Sequence, residues 1–115
     1  MSQPNISILL PQVAFNGSNL NTIGEKQPAA AYYVSGNSLQ TISWNMTNFT
    51  GRLVFQASLV DSPSSNDSDW FTVHILYCDK MTQTSFANLQ GNYVWIRAKI
   101  VDMSSGVIQH VKLSY

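Results

Sequence analysis

Apolar residues in this chain recur at every second position, and they do so in five separate stretches. Ile42, Trp44 and Met46 alternate with Thr41, Ser43 and Asn45. Leu53, Phe55, Ala57 and Leu59 alternate with Val54, Gln56, Ser58 and Val60. Phe71, Val73, Ile75 and Tyr77 alternate with Thr72, His74 and Leu76, and Val94, Ile96, Ala98 and Ile100 with Tyr93, Trp95, Arg97, Lys99 and Val101. The last run, 107–115, places Val111 and Leu113 inward and Ile108, His110 and Lys112 outward. Successive side chains of a strand point to opposite faces, so a period of two means strands with one buried face. No segment carries an apolar stripe at helical spacing for three turns.

Turn signals separate the runs. Ser35-Gly36-Asn37, Thr50-Gly51, Gly91-Asn92 and Ser104-Ser105-Gly106 are read as turns, the last as the turn of a hairpin. Residues 61–69 hold no large apolar side chain and read as an exposed loop. Residues 29–34 combine helix-favouring alanines with Tyr32, Tyr33 and Val34, which favour a strand. Within 79–90 only a short strand near 82–86 is expected. Residues 1–29 read as an irregular segment with at most one short strand, Ile6–Leu10, and 16–28 as loop. The expected architecture is therefore all-β: an antiparallel β-sandwich of jelly-roll type, with seven to eight short strands, over 30–115.

Composition narrows the function classes. Six basic and six acidic residues leave a net charge of zero in 115 residues. Binding nucleic acid by phosphate neutralisation needs a basic surplus that this chain lacks, so no nucleic-acid partner is expected. Polarity comes instead from 15 Ser, 10 Asn, 8 Gln and 7 Thr. Such groups can be buried against a neighbour without stranding ions, which suits a chain packed among copies. No apolar run approaches the length of a membrane span, and no membrane partner is expected. The start lacks the pattern of an export signal, so synthesis in a cytoplasm is expected.

No catalytic motif stands out. Cys78 is the single cysteine, which excludes an intrachain disulfide. His74 and Cys78 lie four apart on one strand, about 13 Å in extended chain, too far for a hydrogen-bonded pair. Two histidines and one cysteine without ligand spacing make no zinc site. Asp61, Asp67 and Asp69 share a loop but lack the fixed spacing of a calcium loop. Neither a phosphate loop nor a dinucleotide fingerprint is present. The expectation is a non-enzymatic protein without cofactor or metal.

The aromatic residues are the surplus that asks for a role. Tyr93 and Trp95 share a face with Arg97 and Lys99, opposite the aliphatic face, and Trp70 closes the polar loop. Exposed, this set suits a protein partner or a sugar ring; buried, it is a second packed side with Arg97 paired and Lys99 snorkelling. Trp70, Tyr93, Trp95 and Arg97 are the interface or ligand-contact candidates.

Four stretches carry a resemblance. They read Thr50-Gly-Arg-Leu-Val-Phe-Gln-Ala-Ser-Leu59, Asp69-Trp-Phe-Thr-Val73, Gly91-Asn-Tyr-Val-Trp-Ile-Arg-Ala-Lys-Ile100 and Ser105-Gly-Val-Ile-Gln-His-Val-Lys-Leu113. In these, residues 50–73 and 91–113 resemble small β-sandwich virion structural proteins of tailed bacteriophages, of the contractile-tailed cyanophage type. The resemblance implies a virion component (capsid decoration, neck, tail or baseplate) whose partners are other copies of itself and other virion proteins. It implies no active site. The alternative is a carbohydrate-binding β-sandwich module that takes a glycan on Tyr93, Trp95 or Trp70.

Overall fold

A computed structural model describes residues 6–33, 38–64 and 66–115. The expected turn at 35–37 lies outside the described residues. The elements are β1 (Ile6–Leu10), β2 (Val13–Ala14), β3 (Thr22–Ile23), β4 (Gln27–Pro28), α1 (Ala30–Tyr33), β5 (Leu39–Ser58), β6 (Phe71–Gln90) and β7 (Trp95–Ser114). All strand pairs are antiparallel and belong to one seven-stranded sheet, ordered β1-β7-β5-β6, with β2, β3 and β4 also along β7. The all-β, antiparallel expectation holds. The count of seven strands also falls within the expectation; their lengths do not, since three strands run to 20 residues and the other four to five or fewer.

Three strands of 20 residues each form the body of the sheet. A straight strand of that length spans about 66 Å, yet the longest dimension of the molecule is 42 Å. The strands are therefore bent, and ring contacts locate the bend. Trp44 and Phe55 both lie in β5 with their ring centroids 5.9 Å apart, whereas eleven residues of straight strand would part them by about 36 Å. The sheet folds over so that its halves face each other. The first layer holds β1, β2, 39–47 of β5, 81–90 of β6 and 107–114 of β7. The second holds β3, β4, 51–58 of β5, 71–78 of β6 and 95–101 of β7.

The corner lies where turns were expected. Pairing slips between Met46 and Gly51, and again opposite Ser105. Left-handed backbone clusters there, at Asn48 (φ 50°), Lys80 (φ 50°), Asp102 (φ 55°) and Gly106 (φ 87°). Extra residues in a strand bend it and sharpen its twist, and bulged corners carry strands from one layer to the other. Gly106 is required at this point: a Cβ there would stand 2.2 Å from the Asn48 carbonyl oxygen. Ser104-Ser105-Gly106 is thus a corner within β7, not a hairpin turn, and Thr50-Gly51 is the matching corner of β5.

Other readings are corrected in the same way. Residues 79–90 belong to one continuous strand with 71–78. Residues 6–28 contribute four short strands, where one was expected, because they trace the edge of β7 in pieces. Ala30–Tyr33 is a short helix; the alanines prevail over the aromatic preference. Ile108 is fully buried rather than outward. Met46 pairs with Ile108 while Asn45 pairs with His110, so Gln109 is extra and inverts the alternation.

The core fills the space between the layers. Ile42, Trp44, Met46, Ile108, Val111 and Leu113 come from the first layer, and Leu53, Phe55, Ala57, Ile96, Ala98 and Ile100 from the second. The end opposite the corner is tied by polar groups. Gln40, 1% exposed, donates to the Leu89 carbonyl at 3.0 Å and accepts from the Ala30 amide at 3.2 Å. The Tyr115 hydroxyl donates across to the Pro28 carbonyl at 2.8 Å.

Candidate interaction site

Arg97 and Trp95 stand on the outer face of the second layer because Ile96, Ala98 and Ile100 take its inner face. The loop 59–70 and the chain around Lys26 fold over them. Gln56 is the cross-strand neighbour of Arg97, and Arg97 Nε donates to Gln56 Oε1 at 2.8 Å. The Trp70 ring lies against the guanidinium, 4.4 Å from Cζ to centroid. A desolvated cation over an indole face is a favourable pairing, worth about 2 kcal/mol when buried. Arg97 is 3% exposed and Trp70 7%.

The loop holds itself in place. Trp70 Nε1 donates to the Ser64 carbonyl at 2.7 Å. The Ser64 amide and hydroxyl both donate to Asp69 Oδ2, at 2.8 and 2.9 Å. These two bonds, the backbone one foremost, hold the Asp69 carboxyl below the ordinary aspartate range. Trp95 is half-buried. Its Nε1 donates to the Asp61 carbonyl at 2.9 Å, Tyr32 meets it edge-on at 4.9 Å, and Lys26 Nζ sits 5.2 Å over its ring. A cavity of about 350 Å³ remains between the chain at 23–26, Pro63, Ser64, Trp70 and Arg97.

Trp70, Trp95 and Arg97 therefore share one covered surface, the packed side that was one of the two readings. Tyr93 does not join them. The strand begins only at Trp95, so the alternation that put Tyr93 beside Trp95 does not reach it. Tyr93 packs toward the core, its ring 5.9 Å from Phe71. Gln56, Ser64 and Lys26 complete the surface and had no sequence signal; they come from three distant segments, and only Gln56 is set by strand register. Gly24 permits the approach at 23–26. A Cβ there would stand 2.0 Å from the Leu9 carbonyl oxygen.

His74 and Cys78, on the inner side of β6, are packed as structural groups. His74 lies 5.9 Å from Trp44 and 6.0 Å from Phe55, ring to ring. Cys78 Sγ meets Met46 Sδ at 3.8 Å, and burial pushes its thiol pKa up. Among the described residues no three His, Cys, Asp or Glu side chains gather as metal ligands.

The outer face of the first layer has a different chemistry. Thr41, Ser43 and Asn45 of β5 and Thr84, Phe86 and Asn88 of β6 lie on it, with Ile6 and Ile8 of β1 and Leu39 at its margins. Ile6, Ile8, Leu39 and Phe86 are more than half exposed, at 61, 53, 62 and 63%. Lys112 is the one charged residue of this layer among the described residues.

No protein-family model matches the chain, and no curated protein matches it. A solved structure, that of the SPBc2 prophage-derived protein YomS, is similar to it at 11% sequence identity with a TM-score of 0.48, covering 99% of this chain and 95% of that one.

Proposed function

We propose that the chain is a non-enzymatic structural protein of a phage virion, a capsid-decoration, neck, tail or baseplate component. It acts by protein–protein assembly, with copies of itself and with other virion proteins. One observation carries the assembly reading: the outer face of the first layer, where hydroxyls and amides flank exposed Phe86, exposed Ile8 lies opposite Lys112, and Lys112 is the single charge among the described residues. A surface held permanently in water ordinarily carries both signs of charge. A face without them loses little on desolvation, because hydroxyls and amides can find partners across an interface. The phage context is supported by the motifs at 50–73 and 91–113. The mechanism is shape: a two-layer body of bent, continuous strands offers a rigid face for docking.

The test is the protein composition of purified virions from a phage that encodes the chain, by mass spectrometry. The expected result is the chain present in multiple copies per particle. The variant Ser43→Lys/Asn88→Lys, which places two charges on the face, is expected to fold yet to be left out of particles. Absence of the wild-type chain from purified virions overturns the reading.

A further inference from the structure

The sheet ends at β6, whose outer edge has no strand partner among the described residues. An open edge of 20 residues is long. Edges of this kind template pairing with another chain unless charge, proline or bulges blunt them. β6 contains neither proline nor glycine, its ladder with β5 is irregular only at Val73 and at the corner, and its only charged residues are Asp79 and Lys80, adjacent and exposed at that corner. Neither side chain has a partner among the described residues.

We propose that β6 pairs with β6 of a second copy, antiparallel, about a twofold axis between Asp79 and Lys80. The inference rests on the reading that the chain works in multiple copies, and it names one of the partners and the surface used. Three features agree on this register. The first is charge. Asp79 comes opposite Lys80 of the partner subunit and Lys80 opposite Asp79 of the partner subunit, so the twofold makes two ion pairs from one adjacent pair. Any nearby register of the same parity separates them.

The second is facing. Between the extra residue Val73 and the corner, the inward residues of β6 are even-numbered, since His74 and Leu76 pair with Phe55 and Leu53. They are odd-numbered after it, since Gln83 and Ser85 pair with Met46 and Trp44. About this axis His74 meets Ser85 and Leu76 meets Gln83, inward to inward. Tyr77 meets Thr82 and Ile75 meets Thr84, outward to outward, as aromatic and β-branched cross-strand pairs. The third is shape. β6 bends at Lys80, whose φ is 50° and whose amide donates to Thr50 Oγ1 at 2.9 Å. The axis puts bend beside bend, so the first layer of one copy continues into the second layer of the other. The product is a closed, isologous pair with one unbroken two-layer body.

The experiment uses charge reversal and its rescue, read by sedimentation equilibrium on purified chains. Wild type is expected to be a dimer. Asp79→Lys alone and Lys80→Asp alone each place like charges across the axis, and each is expected to weaken self-association about tenfold or more. An equimolar mixture of the two variants is expected to recover the dimer as a heterodimer. The double variant Asp79→Lys/Lys80→Asp is expected to recover it as a homodimer. Both positions are exposed, so melting temperatures read by circular dichroism under monomeric conditions should match wild type. A wild-type monomer overturns the proposal, as does a wild-type assembly that neither single variant weakens or that the mixture fails to restore. These outcomes are separate from the virion test: a chain present in particles but monomeric when pure keeps the structural reading and loses the β6 pair.

Discussion

The two layers are built from the same three strands and have opposite outer faces. On the second layer the chain covers its own outward residues: the loop 59–70 brings Trp70 down onto Arg97, which is left 3% exposed. On the first layer nothing among the described residues folds over Ser43, Asn45 and Phe86. The charged residues divide accordingly. Lys112 belongs to the first layer, and the others lie in the second layer, at the corner or in loops. The comparison shows that an outward position in a sheet is not an exposed one until the connections are known. It also shows where this chain has left polar, uncharged surface for something else to cover.

Uncovering the second layer should have the largest effect. Trp70→Ala removes the lid and is expected to cost about 3–5 kcal/mol in chemical denaturation. A loss below about 1 kcal/mol, with assembly lost instead, would make Trp70 an interface residue and erase the contrast between the layers. Arg97→Met keeps the stem but strands Gln56 Oε1 and the Trp70 face; its expected cost is about 1–3 kcal/mol by the same measurement. Phe86→Ala, on the bare layer, should change monomer stability by no more than about 0.5 kcal/mol. The same change should reduce incorporation into particles.

The smallest effect concerns the loop that makes the cover. Its Asp69 pKa is depressed by bonds from Ser64, so the carboxylate form is favoured in the folded state. The contribution is present above the ordinary aspartate value of about 3.9 and is lost as pH falls through the lowered one. Amide exchange at Ser64 should therefore speed up in that acid window, and Asp69→Asn should show the faster exchange already at neutral pH. An exchange rate that Asp69→Asn leaves unchanged would mean that Trp70 alone holds the loop.

Much of the fold was legible. The alternating runs lie in strands at 39–46, 52–58, 71–77 and 95–101, and their inner faces at 42–46, 53–57 and 96–100 form the core. The run 82–90 was faint because its inward Ser85 and Ala87 contrast weakly with outward Thr84 and Asn88. The N-terminal pieces were hidden because an edge that pairs two residues at a time leaves no periodicity to read. At the candidate site, Trp70 and Arg97 were visible as unusual residues. Their meeting was not, since it depends on a loop closing over a neighbouring strand.

Period-two alternation and turn-favouring glycines act within a few residues, so strand content and the inner faces of 42–46, 53–57 and 96–100 are already written in the order of side chains; in 71–77 the inward set is His74 and Leu76 rather than Ile75 and Tyr77. Gly51 and Gly106 mark a change of direction, but a hairpin and a folded corner make the same local demand for left-handed backbone and a shifted alternation. The choice between them is made by partners far away in sequence. Asn48 lies against Gly106, and Gly51 pairs with Cys78, so three strands bend together and the ladder stays continuous through the corner. The tertiary structure alone decided that one sheet would fold into two layers, that Arg97 would be covered, and that β6 would be left at the edge. Each of these depends on which segments end up side by side, and pairing between segments distant in sequence leaves no trace in local pattern.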